Sequence, residues 1–237
     1  GQQTVLGELR SDLARDVPMH RLLQGEVGSG KTVLALLAML ATVDGGAQAA
    51  LLAPTEVLAA QHHRAITTML GPIAEGGMLG GMEGGTRVAL LTGSQSAADR
   101  RANLLAAASG EAGIVVGTHA LIQEHVQLAE LGLVVVDEQH RFGVEQRDAL
   151  RAKADRAPHV LVMTATPIPR TVAMTVYGDM ATSTLRELPA GRQPITTHVV
   201  TADKPAWIER TWVRVAEEVR GGGQVYVVCP RIGEEDD

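Results

Sequence analysis

Short apolar runs recur along this chain at Arg21–Leu23, Ala47–Ala53, Val88–Leu91, Ile114–Val116, Leu131–Val136 and His159–Met163. They are apolar almost without alternation, the pattern of strands covered on both faces rather than one. Between them lie Lys31–Thr42, Glu56–Leu70 and Ala97–Ala108, rich in Ala and Leu and of helical length. Parallel strands need a crossover, and a helix supplies it, so this alternation restricts the chain to repeated βα units. The expected fold is α/β, a mostly parallel, doubly wound sheet flanked by helices. Such sheets bind ligands outside the carboxyl ends of their strands, so the residues just after each apolar run are where chemistry is expected.

The 237 residues suffice for one α/β domain and part of another. The glycine-rich stretch Gly71–Gly85 reads as a surface loop. The pattern restarts after the Pro/Gly segment Leu188–Pro194, with strand-like Ile195–Thr201, helix-like Lys204–Arg220 and strand-like Gln224–Cys229. The expected organisation is a first lobe over residues 1–193, followed over 194–237 by a linker and the beginning of a second, truncated lobe. The chain opens on Gly1 rather than Met and carries no basic-then-apolar leader, so it reads as part of something longer.

A net charge of −6 argues against a broadly basic, nucleic-acid-coating surface while leaving room for a narrow track of backbone contacts. Phe142, Tyr177, Tyr226, Trp207 and Trp212 are the whole aromatic set, so stacking of bases on aromatic platforms is disfavoured. Cys229 is the sole cysteine, which excludes an internal disulfide or a cysteine-based zinc site and fits a reducing cytoplasm. The longest apolar stretch, Val33–Val43, is too short to cross a bilayer and reads as a core helix.

Gly25-Glu26-Val27-Gly28-Ser29-Gly30-Lys31-Thr32 matches the phosphate-loop pattern G-x-x-x-x-G-K-[ST], with a strand before it and a helix after it. Glycines let backbone N–H groups wrap phosphates, and the following helix adds its N-terminal dipole. Lys31 is suited to the β- and γ-phosphates and the Thr32 hydroxyl to Mg²⁺. Asp137 and Glu138 end the run Leu131–Val136, at the same edge of the sheet. Asp137 is expected to hold Mg²⁺ through water, and Glu138 to orient or deprotonate the attacking water. No Asn-Lys-x-Asp guanine signature surrounds Lys153 or Lys204, which disfavours a GTPase switch.

With these two motifs, the chain resembles superfamily two helicases, which implies a RecA-like P-loop NTPase lobe using ATP and Mg²⁺. Ala53-Pro54-Thr55-Glu56, Thr92-Gly93-Ser94 and Gly117-Thr118-His119 fall where that family touches the sugar-phosphate backbone. Their hydroxyls and glycine amides suit positioning on phosphates without reading sequence. For Thr55 and Thr118, capping of the following helix is an equal alternative. Met163-Thr164-Ala165-Thr166-Pro167 looks like the segment that couples hydrolysis to lobe movement, with hydroxyls expected to reach the Asp137–His140 loop.

Longer strings, Arg21–Thr32 with the preceding Asp16-Val17-Pro18, Ala53–His62, Asp137–Arg147, Met163–Thr171 and Leu188–Pro194, resemble the RecG family of branched-DNA helicases over nearly the whole chain. The transcription-repair coupling translocases share the layout but usually carry glutamate where Gln139 stands. The resemblance implies that Gln2 recognises adenine and that His140 is a coupling residue. Arg141 and Phe142 lie beside the acidic motif, with Phe142 equally suited to the core. It further implies branched or double-stranded DNA as partner, a monomeric motor, and a second lobe and wedge domain in the parent chain. With the second lobe's arginine finger lying outside the chain, nucleotide binding with slow hydrolysis is expected. Two rivals stay open: a coupling translocase, and a module that binds nucleotide or DNA without turnover.

Overall fold

Among the described residues, seven strands hydrogen-bond into one sheet in the order β3-β4-β2-β5-β6-β1-β7, with every pairing parallel. They are β1 (His20–Gly25), β2 (Gln48–Leu52), β3 (Val88–Leu91), β4 (Ile114–Gly117), β5 (Leu131–Asp137), β6 (His159–Thr164) and β7 (Ala181–Leu185). The helices among the described residues are α1 (Gln2–Leu13), α2 (Lys31–Asp44), α3 (Glu56–Leu70), α4 (Ala97–Ser109) and α5 (Pro205–Arg220). This computed structural model describes residues 1–75, 84–123, 126–137, 156–166, 180–186 and 195–229. Among them, no helix is long and apolar enough to cross a membrane.

The sheet is covered on both faces, which is why its central strands read as unbroken apolar runs. Successive side chains of a strand point to opposite faces. Leu23, Leu51, Leu133, Val135, Leu161 and Met163 accordingly join one core with α1, α2 and α3. Leu22, Leu52, Val134, Val136, Val160 and Val162 join a second core with Ala106 and Ala107 of α4. A register shift between Gln48 and Ala49 skips Gly132 on β5, so that Leu131 and Leu133 fall into different cores. Gln48 is buried at this irregularity and holds it. Its Nε2 donates to the carbonyls of Ala107 and Ala112 at 2.9 and 2.7 Å, and its Oε1 accepts from Glu130 N at 3.1 Å.

Neither α1 nor β7 shows in the apolar pattern of the sequence. β7, ATSTL, is an edge strand with only Ser183 and Leu185 buried, so no apolar run marks it. Helix α1 buries only Val5 and Leu9, a stripe too narrow to stand out. Arg21 of β1 ties both to the sheet, reaching Glu8 at 3.0 Å, Asp12 at 2.8 Å and the Ser183 hydroxyl at 2.7 Å.

The chain divides into two compact units, Gly1–Ala190 and Gly191–Asp237. In the second, α5 forms where a helix was expected, whereas 195–201 and 224–229, expected as strands, form no ladder. A strand is stabilised by its neighbour's hydrogen bonds, and neither segment has one among the described residues.

Candidate functional site

All strands run the same way, so the loops after their carboxyl ends gather along one edge of the sheet. Nearest β7, Gly25–Thr32 follows β1; next, Thr164–Thr166 ends β6; then Asp137 ends β5. Beyond them, Pro54–Glu56 follows β2, Gly117–His119 follows β4, and Thr92–Ser94 follows β3. The topology thus sorts the predicted residues into a phosphate-loop half and a hydroxyl-and-glycine half. With β6 alone between them, β1 and β5 lie two strand spacings apart, about 10 Å.

In the first half, Gly28 and Gly30 adopt φ of 82° and 95°, a left-handed backbone that side chains rarely tolerate. A Cβ on Gly25 would come within 2.6 Å of Ser29 Oγ and 2.9 Å of Leu185 Cβ. Glu26 and Val27 form the exposed crest of the loop. Helix α2 starts at Lys31, with Gly30 as its cap, and directs its N-terminus at the loop. The Lys31 ammonium folds back to the carbonyls of Gly25 and Glu26, at 2.6 and 3.0 Å. Ser29 Oγ is buried and has no hydrogen-bond partner among the described residues. Gln2 at the start of α1 donates from Nε2 to Ser29 O at 2.9 Å, so it contacts the phosphate loop directly. A glycine cradle, a cation on a flexible stem, an orphaned hydroxyl and a helix N-terminus fit a nucleotide's phosphates.

Asp137 shares a face of β5 with Leu133 and Val135, toward α1, α2 and α3. On that side its Oδ2 meets Nε2 of His62 at 2.6 Å, both side chains being 14% exposed. His62 lies outside the residues expected at the site from sequence, although a signal for it exists there. His62 lies on the face of α3 with Ala59 and Ile66, both fully buried, where an imidazole needs a partner. Glu138 and His140, expected to act beside Asp137, lie outside the described residues, as do Gln139, Arg141 and Phe142.

Register brings Met163 beside Asp137 and Thr164 beside Gln24, so β6 carries its threonines between the loop and the carboxylate. Of the expected target loop Asp137–His140 only Asp137 lies within the described residues; the Thr164 and Thr166 hydroxyls bond one another at 2.9 Å, and Thr166 N donates to Thr164 Oγ1 at 3.2 Å.

In the second half, the Thr55 hydroxyl caps α3, accepting from Leu58 N at 3.3 Å. Thr118 does the same for a one-turn 3₁₀ helix, accepting from Ala120 N at 3.4 Å. Glu56 Oε1 accepts from Gly93 N at 2.7 Å, tying the ends of β2 and β3 together. Thr92 N donates to Gln95 Oε1 at 3.1 Å, and Ser94 is exposed. Capping and ligand contact are compatible for Thr55, since the cap uses a hydroxyl lone pair and leaves the proton.

A parallel sheet with the phosphate-loop motif after one strand and a carboxylate after a nearby one is the RecA-like P-loop fold class. The family profile described as DEAD/DEAH box helicase matches residues 2–175, and the chain belongs to that family. It is 65% identical over 240 residues to the ATP-dependent DNA helicase RecG of Mycobacterium bovis, covering 100% of this chain and 33% of that protein. The RecG of Synechocystis is 50% identical over 236 residues, covering 99% and 26%. A structure of RecG bound to a three-way DNA junction superposes with a TM-score of 0.78 at 38% identity, over 98% of this chain and 29% of that one. The chain therefore spans about a quarter to a third of the length of these curated relatives.

Proposed function

We propose that this chain is the ATP-binding motor lobe of a DNA helicase that remodels branched DNA, such as stalled forks and Holliday junctions. The observation that carries the reading is the shared sheet edge, with the phosphate loop and Asp137 on one half and the hydroxyl-bearing loops on the other. The similarity to RecG helicases and to RecG on a DNA junction supports the choice of substrate.

Backbone amides of Gly25–Thr32 would wrap the triphosphate, Lys31 would neutralise its outer phosphates, and the Thr32 hydroxyl with Asp137 through water would hold Mg²⁺. Bound Mg²⁺ supplies neutralisation of charge on the transferring phosphoryl group. Glu138 is assigned to the attacking water, His140 to coupling, and Gln2 to the adenine side of the loop. Pro54, Thr55, Glu56, Thr92, Gly93, Ser94, Thr118 and His119 would follow the DNA backbone, with Thr164 and Thr166 linking the two halves. We assign residues 1–193 to the first lobe and 194–237 to the linker and the start of the second. The second lobe and a wedge domain would belong to the parent protein, acting as a monomer in the cytoplasm.

Calorimetry with Mg²⁺-ATP tests the reading, with Mg²⁺-GTP and Lys31→Ala as comparisons. Binding that favours ATP and disappears in Lys31→Ala is expected. A folded chain that binds neither nucleotide, or binds equally well without Lys31, refutes it.

A further inference from the structure

We propose that His62 is a positioning residue for the cation site, fixing the Asp137 carboxylate so that its second oxygen faces the metal's water shell. The inference rests on the nucleotide-lobe reading above and concerns a residue that reading does not use. An ionised carboxylate offers only acceptors, so the 2.6 Å bond requires the proton on Nε2 of His62, donated to Oδ2. One oxygen is thereby committed and the other is left for the cation's water.

Asp137 needs such a constraint because of where it stands. It is the last residue of β5, where the ladder no longer holds the chain on both sides. A carboxylate that reaches a cation only through water contributes by orientation, and a freely rotating one loses much of that. His62 is itself well fixed. It lies two turns into α3, beside Ala59 and Ile66 in the core, on a helix capped by Thr55. The bond also crosses between the halves of the edge, since the first turn of α3 carries Glu56, which holds Gly93. The metal-side carboxylate is thus referenced to the helix that begins at the proposed DNA-contacting loop.

The test is the metal dependence of binding a non-hydrolysable ATP analogue. Calorimetry would be run across a Mg²⁺ series, and free Mn²⁺ followed by its paramagnetic resonance signal in a parallel titration. In His62→Ala, the metal concentration for half-maximal binding should rise by about tenfold, the lower end of what outer-shell partners contribute. Affinity for the metal-free nucleotide should stay within about twofold, because only the carboxylate is disturbed. His62→Gln, whose amide nitrogen takes the place of Nε2, should restore most of the metal affinity. If His62→Ala does not fold, His62→Gln against His62→Asn carries the same comparison, the shorter amide falling short of Asp137.

A His62→Ala protein with wild-type metal dependence overturns the inference. So does one that loses metal-free and metal-bound affinity equally, or a folded Gln variant no better than Ala or Asn. A wild-type chain that binds no nucleotide at any metal concentration instead refutes the nucleotide-lobe reading, and this inference with it.

Discussion

Replacing Gln48 by Leu removes one amide that holds four segments together. Leu fills similar space, so the consequence is almost wholly in polar groups. Ala112 O and Glu130 N lose their side-chain partner, while Ala107 O keeps a bond from Gly110 N at 3.4 Å. The buried Ala112 O left without this partner costs about 1–3 kcal/mol, the part-buried Glu130 N adds less, and the added apolar burial returns part of this, giving a net loss of about 2 kcal/mol. For a domain of this size that is a fall in Tm of about 4–8 °C. Thermal and urea unfolding followed by circular dichroism would read it. The position has a functional side as well, because Gln48 pins the irregularity that sets the face of every later β5 residue. A one-residue slip turns a strand's side chains over, and would move Asp137 away from His62 and α2. Mg²⁺-dependent nucleotide affinity of the folded fraction should therefore fall too. A change below about 1 kcal/mol in stability would refute the account of this amide, since even one orphaned buried group costs that much.

Ala at Gly117 would drive its Cβ into the Leu91 carbonyl across the β3–β4 pair, so Gly117→Ala should cost at least about 2 kcal/mol in urea unfolding. Glu56→Ala breaks the bond to Gly93 N, worth about 1 kcal/mol, and should weaken duplex DNA binding about fivefold by fluorescence anisotropy, leaving nucleotide affinity unchanged. Burial lowers the His159 pKa from its ordinary 6.5, against an opposing pull from Asp12, and its Nδ1 accepts from Met19 N at 2.9 Å, which only the neutral ring allows. The unfolded chain then binds the extra proton first as pH falls, so this contribution to stability is complete above 6.5 and is lost below it. Unfolding free energies measured on either side of that pH should show the slope, and His159→Ala should flatten it.

Much of the molecule was legible in order of residues. Six strands could be read because a strand buried on both faces must be apolar at nearly every position, whatever its neighbours. Lys31–Thr32 and Thr55 could be read because a helix start needs local chemistry, a glycine turn or a capping hydroxyl. Such features depend on a few adjacent residues, and the sequence contains them whole. That the resulting loops share one edge follows from parallel topology alone.

What waited for the tertiary structure are the relations between segments remote in the chain. The strand order, with β6 between β1 and β5, sorts the loops into two halves, and no local pattern encodes it. β7 exists as a strand because β1 offers an edge to ATSTL, a segment with little apolar signature of its own. Gln2 meets Ser29, Glu56 meets Gly93, and His62 meets Asp137 only once helices pack on the sheet. A buried polar side chain must find a partner, but which partner it finds is fixed by packing. The sequence determined the elements and the chemistry each carries, and the three-dimensional register of strands and helices decided which of those groups act on one another.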